Sequence, residues 1–246
     1  MRFAGVCLVV LCAASARADS FADLKSAVAA LRGATPIRAT IEMQRVDLDK
    51  GKKPPETVAG SAVVDALVDG DGLHVAYAPA LLTKVAKEQA ERQANPDLHA
   101  PTARAVAELG PLPIAERLDF GRQLTGMLSR AVFLSEKRVV WEGRPARLLA
   151  LKIKNPPPKT SVGHVEILED SLNVWIGDDN IPLAAQRTQR YTGGILFLKA
   201  DIKQANRWTF TRKDDRLVAT RSETKNAQSG FGQNNEETEI VTVTLR

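Results

Sequence analysis

LNVWIGDDNIPLAAQRTQRYTGG, residues 172–194, is the stretch whose reading decides the fold. Leu172, Val174 and Ile176 recur at every second position, the pattern of a half-buried strand. Asp178, Asp179 and Asn180 follow; these residues hydrogen-bond their own backbone and tolerate left-handed conformations, so the chain turns there. After Ile181 and Pro182, a return strand mixes Leu183 and Ala185 with Gln186, Arg187, Gln189 and Arg190. The pattern predicts a hairpin with one well-defined strand and one strand poor in large apolar side chains. Which face of a sheet does the polar strand serve?

Both flanks of this hairpin repeat its grammar. Strands are predicted over 165–168, 195–202, 207–211, 217–223 and 239–245, with polar turns every 8 to 12 residues, as in an antiparallel meander. Upstream, Glu142-Gly143-Arg144-Pro145 separates 139–141 from a strand at 148–153, and Asn155-Pro156-Pro157-Pro158 is a rigid loop that no central strand tolerates. Nearer the amino terminus, Ile37, Ala39, Ile41 and Met43 alternate with Arg38, Thr40, Glu42 and Gln44. A strand over 57–68 and Leu73 to Tyr77 is closed into a hairpin by Asp69-Gly70-Asp71-Gly72, the strongest turn signal in the chain.

Helical periodicity occupies two places. Residues 20–32 carry Phe21, Leu24, Val28 and Leu31 on one face, with Ser20 as the expected cap and Gly33 as the stop. Residues 79–130 form a helical insertion broken at Asn95-Pro96, His99-Ala100-Pro101 and Gly110-Pro111-Leu112-Pro113. One of its helices is expected to carry Leu81, Leu82 and Val85, and another, over 114–129, Leu118, Leu124, Met127 and Leu128. Amphipathic helices need a partner surface. The fold class read from these patterns is α+β: a curled antiparallel sheet with helices on one side, as a single domain over 19–246.

The first 18 residues read as a secretory signal. Arg2 precedes a short apolar run at 3–14, and Ala16-Arg17-Ala18 is a small-x-small site, so cleavage is expected after Ala18. Both cysteines, Cys7 and Cys12, fall in that leader, which leaves the mature chain without thiol or disulfide. Export without disulfides points to a periplasm. Without Arg2 and Arg17, 32 basic and 29 acidic residues remain, mixed along the chain. That excludes the basic stripe of a nucleic-acid binder. No later stretch is long and apolar enough for a transmembrane helix.

Catalytic signatures are lacking. G-x-S-x-G, phosphate loops and G-x-G-x-x-G do not occur, and a Cys–His nucleophile is impossible in the mature chain. Of the histidines His74, His99 and His164, the last lies with Glu166 at i, i+2 on a strand, and no third metal ligand is identifiable. Asp69, Asp71, Asp178 and Asp179 are turn formers rather than a calcium loop. The chain is expected not to be an enzyme and to use no cofactor or metal.

Three stretches together resemble the lipoprotein-carrier superfamily of periplasmic proteins, whose best-known members are the lipoprotein localisation factor and related sensor domains. LVDGDGLHVAYAP (67–79) looks like that family's D-G turn and aromatic strand ending in Tyr-x-Pro. VVWEGRPARLLALKIK (139–154) is similar to its Gly-centred hairpin, and LNVWIGDDNIPLAAQ (172–186) to its strand, acidic turn and outgoing strand. The chain departs from the pattern after its second strand, where no Arg-Pro and aromatic strand intervene before the D-G hairpin.

The resemblance implies an unclosed β-barrel with helices covering the concave side and a cavity between them that accepts acyl chains. On that basis the function expected is a non-enzymatic periplasmic protein that holds a lipid or acylated protein. The cavity lining expected is Ile41, Met43, Val63, Val75, Leu82, Leu124, Leu128, Trp141, Leu149 and Trp175. The polar strand would then show its polar residues on the convex side, with Leu183 and Ala185 facing in. A scaffold or sensor of the same fold, which binds an envelope protein partner by a strand edge without a lipid, is the alternative.

Overall fold

The structure is a computed structural model and describes residues 12–155, 164–195, 198–230 and 233–246. Helix α1 (Cys12–Ala29) leads into a three-stranded meander, β1 (Ile37–Asp49), β2 (Glu56–Asp69) and β3 (Gly72–Tyr77). Four helices follow: α2 (Pro79–Ala94), α3 (Pro101–Ala107), α4 (Pro111–Leu118) and α5 (Phe120–Ser129). Seven strands complete the chain: β4 (Ala131–Trp141), β5 (Arg144–Ile153), β6 (His164–Ile176), β7 (Pro182–Ile195), β8 (Leu198–Lys213), β9 (Arg216–Gly230) and β10 (Gln233–Leu245).

All ten strands form one antiparallel sheet in the order β3-β2-β1-β10-β9-β8-β7-β6-β5-β4. The two meanders are joined where β1 pairs with β10, from Ala39 opposite Leu245 to Asp49 opposite Asn235. Among the described residues β3 and β4 remain edges, so the sheet is unclosed. This is the α+β arrangement that the strand and helix patterns predict. It also explains the insertion at 79–130. β3 and β4 are consecutive strands at opposite edges, so their connection must cross the whole sheet, and α2 to α5 carry it. On the way α3 lies over β1 and β2, α4 and α5 over β9, and α1 against α5 and β4.

Two apolar clusters lie under the helices. One gathers Leu24, Val28, Phe120, Leu124 and Leu128 from α1 and α5 onto Leu149, Leu172, Val174, Trp208 and Phe210 of the sheet. The other sets Ala105, Leu109, Ile114 and Leu118 against Ile41, Met43, Val64, Val241 and Val243. Phe120 is the hinge of the first, its ring 5.1 Å from Trp208 and 4.9 Å from Phe210 between centroids.

The turns follow their residue chemistry. Asp69 Oδ1 accepts from the Asp71 N–H at 3.0 Å, and Gly72 takes a φ of 115° where β3 begins. In the turn of the opening hairpin Asp179 Oδ1 accepts from the Ile181 N–H at 3.1 Å, and Asn180 is left-handed. Leu183 has no partner across β6, because Trp175 faces Ala184 while Ile176 faces Pro182.

Several local expectations change, among them the strands expected at 195–202 and 207–211, which the single strand β8 replaces. Residues 165–168 and 172–176 belong to one strand, β6, whose register skips Leu168, a bulge that the sequence pattern presents as a turn. The helix expected over 114–129 is two, broken at Asp119 with φ −140° and ψ 63°. Ser20 lies within α1 rather than capping it; it is buried and accepts from Arg147 Nη1 at 2.7 Å.

Candidate functional site

Register across the sheet turns the inner face into rungs, and the rungs change chemistry abruptly. One runs Ala62, Met43, Val241, Ser222, Trp208, Ala185 and Val174, all buried beneath the helices. Two residues further along each strand, the next rung reads Gly60, Arg45, Glu239, Thr224, Asn206, Arg187 and Leu172. The rung after that is Val58, Asp47, Glu237, Asn226, Gln204, Gln189 and Asp170.

The polar residues of β7 are thus on both faces. Ala185 faces in as expected, but Arg187 and Gln189 also face in, and the expectation that the strand is polar only on its convex side is corrected. Side-chain alternation fixes the face of a residue, whereas only the helix cover fixes whether that face is dry. The cover ends between Ala185 and Arg187.

Each half of the polar region carries its own charge cluster. Arg187 holds Asp170 bidentately, with Nε and Nη2 donating at 2.8 and 2.6 Å. Asn155 Nδ2 and Gln189 Nε2 donate to the same carboxylate at 2.5 and 3.3 Å. The Asp170 hydrogen bonds hold the Arg187 guanidinium above its usual range. At the other side Arg45 donates to Asp47 at 3.0 Å, Glu237 at 2.6 Å and Glu239 at 2.8 Å, with Glu108 of the helical layer 3.7 Å away. Arg104 reaches Asp47 at 2.8 Å. One guanidinium cannot compensate this many carboxylates. Burial first, then the hydrogen bond and charge of the neighbouring acids, push Glu239 up to about 7.

The ten residues expected to line a cavity fall into separate places. Ile41, Met43, Leu124 and Leu149 are 0% exposed and Leu128 is 1% exposed, packed side chain against side chain beneath the helices. A fully covered side chain borders no void large enough for water, so in this arrangement these residues offer no surface to a ligand. Val63 and Leu82 are each 49% exposed. Val63 alternates with the buried Ala62 and Val64 and so lies on the outer face, and Leu82 is on α2, a helix with no buried residue. Val75 is half-buried beside the second cluster.

Trp141 and Trp175 are brought together, but on the outer face. Trp175 alternates with the buried Val174 and Ile176, and its ring centroid stands 4.9 Å from that of Trp141, tilted by 46°. The Arg207 guanidinium lies 5.3 Å over Trp141. Beneath these rings Ala146 and Ala184 are 5% and 0% exposed although their register also places them outside. The pair covers small residues of the sheet's back.

The strand that borders this patch extends well beyond the 139–141 that the sequence pattern marks. β4 is an edge of eleven residues, and Val132, Leu134 and Val140 on it are 37%, 59% and 72% exposed. Its register is broken at Leu134 by a bulge. The run AVFLSEKRVVW does carry the signal of a strand, apolar at both ends and charged in the middle, but nothing local in it marks an edge.

Of the three histidines, His99 stands 2.9 Å from Glu56 and His74 3.3 Å from Asp69, both at the surface. His164 lies in β6 with its side chain outside the described residues, as do Pro156, Pro157 and Pro158. Among the described residues no three His, Cys, Asp or Glu side chains converge on a metal-sized site. No described helix is long and apolar enough to cross a membrane.

No family model matches the chain and no curated protein matches it. Among solved structures it is similar to a domain assigned to outer membrane lipoprotein sorting from Vibrio parahaemolyticus, with 13% identity, 93% of this chain and 92% of that one covered, and a TM-score of 0.35. It is also similar to MucB in complex with MucA(peri), with 11% identity over 92% of this chain and 93% of that one, and a TM-score of 0.19.

Proposed function

We propose that this chain is an exported, non-enzymatic binding protein that takes a protein partner along the free edge of its sheet. The observation that carries this reading is the exposure of Val132, Leu134 and Val140 on β4, which among the described residues pairs with β5 alone. An edge strand offers a row of unused backbone donors and acceptors, and apolar side chains on it add specificity to a strand laid alongside. The closed interior supports the same reading, since Ile41, Met43, Leu124 and Leu149 are already covered by the protein itself.

Photo-crosslinking in producing cells tests it. A photoreactive residue at Val132 or Val140 is expected to yield a discrete adduct, and one at Val63, whose 49% exposure lies between theirs but which is on the outer face of β2, is expected to yield none. Adducts at Val63 alone would overturn the reading. Intact mass of the exported product is expected to place its first residue at Asp19.

A second reading, a lipid or acylated-protein carrier, is favoured by one feature. A groove of about 530 Å³ beside α4 is walled by Val68, Leu73, Leu112 and Ala115 and rimmed by Glu116, Asp119, Arg122 and Arg216. An acyl chain laid there gains roughly 0.8 kcal/mol per buried methylene. Native mass spectrometry of protein purified without detergent, followed by lipid extraction, decides between the readings, because co-purifying acyl species favour the carrier.

A further inference from the structure

We infer that the β4 edge selects an extended, acidic segment of another protein. This rests on the strand-edge reading and adds the chemistry of the partner. Lys137 and Arg138 sit mid-strand on β4, and Arg144, Lys152 and Lys154 follow on or just beyond β5; all five are exposed. Glu136, the carboxylate nearest them on β4, is half-buried and faces Arg147 at 3.6 Å. Glu142 in the β4–β5 turn is the other carboxylate of these two strands. Across the whole sequence 34 basic residues are nearly matched by 29 acidic ones, so this imbalance is local to the edge.

The same charges decide against a second copy of this chain. Two β4 edges paired antiparallel about their central residue set Glu136 against Glu136 and leave Lys137 of one copy a diagonal neighbour of Lys137 of the other, with Arg138 next to each. Like charges on facing strands destabilise a pair, and basic edge residues are a recognised guard against self-association. A partner strand bearing carboxylates meets the opposite situation.

The edge also sets the partner's pattern. The bulge at Leu134 separates an apolar end, Val132 and Leu134, from the basic middle. Beyond that middle lie Val140 and the Trp141–Trp175 pair, which walls the outer side of the edge. The segment that fits has apolar residues at its two ends and acidic ones between. The other edge, β3, spans six residues against eleven for β4 and holds a shorter strand.

The test uses the full chain and three capped decapeptides: one with Val at its two ends and Glu between, its Lys-for-Glu counterpart, and the Val/Glu peptide N-methylated at alternate residues. Binding is followed by tryptophan fluorescence, to which Trp141 and Trp175 contribute beside the buried Trp208, and by amide exchange across residues 131–141. The acidic peptide is expected to bind and slow exchange there, and the N-methylated one is expected to fail for lack of backbone donors. Lys137→Glu with Arg138→Glu is expected to weaken binding about tenfold, the combined size of two reversed surface pairs. Arg144→Glu alone is a milder check, and circular dichroism confirms that each variant folds.

A Lys peptide that binds β4 as well as the Glu peptide overturns the acidic selection and leaves the edge reading intact. Absence of protection on β4 with every peptide overturns both. Acidic binding that survives N-methylation overturns strand pairing. Adsorption to phosphatidylglycerol vesicles, abolished by the double reversal and without response to any peptide, assigns the basic edge to a membrane surface and overturns the proposal.

Discussion

Arg45 Nη1 stands 2.8 Å from Glu239 Oε1, at the line where the inner face passes from apolar to polar. A close ion pair ordinarily lowers a carboxyl pKa, yet Glu239 is raised to about 7. The cause is burial together with Glu237 and Glu108, which compete for the same guanidinium. The sign follows from proton linkage. A carboxyl with a folded pKa near 7 and an unfolded pKa near 4.5 binds its proton more tightly when folded, so its contribution to stability is full below pH 4.5 and declines as pH rises to 7. Glu239→Gln keeps the neutral shape, and its melting temperature is expected to fall less than that of the parent between pH 5 and pH 8. Parallel pH profiles for the two proteins would remove Glu239 from the account.

Phe120 fixes the cover to the sheet through Trp208 and Phe210, and it is 1% exposed. Phe120→Ala leaves a ring-sized cavity between α5 and β8, with an expected cost of about 3–5 kcal/mol in chemical denaturation. A loss under 1 kcal/mol would mean that α5 closes onto the space or is not held by this contact.

Much of this architecture was legible in local pattern. The D-G hairpin, the Gly143 turn and the alternation of Ile37 to Met43 each specify their element within a few residues. The polar rungs were not legible, because Arg187 and Gln189 carry no mark that separates an inner uncovered position from an outer one. That distinction depends on where α1, α4 and α5 stop, a property of residues dozens of positions away. The same limit hid the edge. β4 is an edge because β3 does not meet it, and no run of eleven residues encodes the absence of a neighbour. The tryptophans misled for a related reason: both are strand residues of apolar type, but Trp175 sits at the parity opposite to the buried Val174 and Ile176, and Trp141 lies on an edge strand with no buried residue.

A Cβ on Gly60 would lie 2.2 Å from the Pro101 carbonyl oxygen and 2.5 Å from its carbon, so β2 and the start of α3 meet backbone to backbone there. Neither atom is the tip of a flexible side chain. Gly60→Ala is therefore expected to push α3 off β2 at a cost of about 1–3 kcal/mol. Faster amide exchange in α3 than in α5 would show that the damage is local; uniform acceleration would instead mean global destabilisation.

Gly33 meets Asp119 in a similar way at the other end of the cover. Its φ of 65° is left-handed, and an added Cβ would stand 2.6 Å from Asp119 Oδ2. The Asp119 carboxylate lies over the bare Cα, and the same Oδ2 meets Arg122 Nε at 3.0 Å, at the break between α4 and α5. Gly33→Ala combines backbone strain with this clash and is expected to cost about 1–3 kcal/mol. Asp119→Ala in the same background is expected to recover part of the loss, since it removes the atoms in the way. A double-mutant cycle with no coupling would show that the conformation of Gly33, and not its neighbour, sets the cost.

Asp170 is 4% exposed and accepts from Arg187, Asn155 and Gln189 at once. Replacing a buried ion pair as a unit is tolerated far better than removing one partner, because the survivor is left charged and desolvated. Asp170→Ala is accordingly expected to cost about 3–5 kcal/mol, more than Arg187→Met with Asp170→Leu together. The comparison also bears on function. Asp170 shares its rung with Asp47 and Glu237, so if the polar face serves only to hold strands in register, the apolar double variant stays folded and still binds at β4. Loss of partner binding in a folded, stable double variant would instead place part of the recognition surface on the inner rungs and extend the binding site well beyond the edge strand.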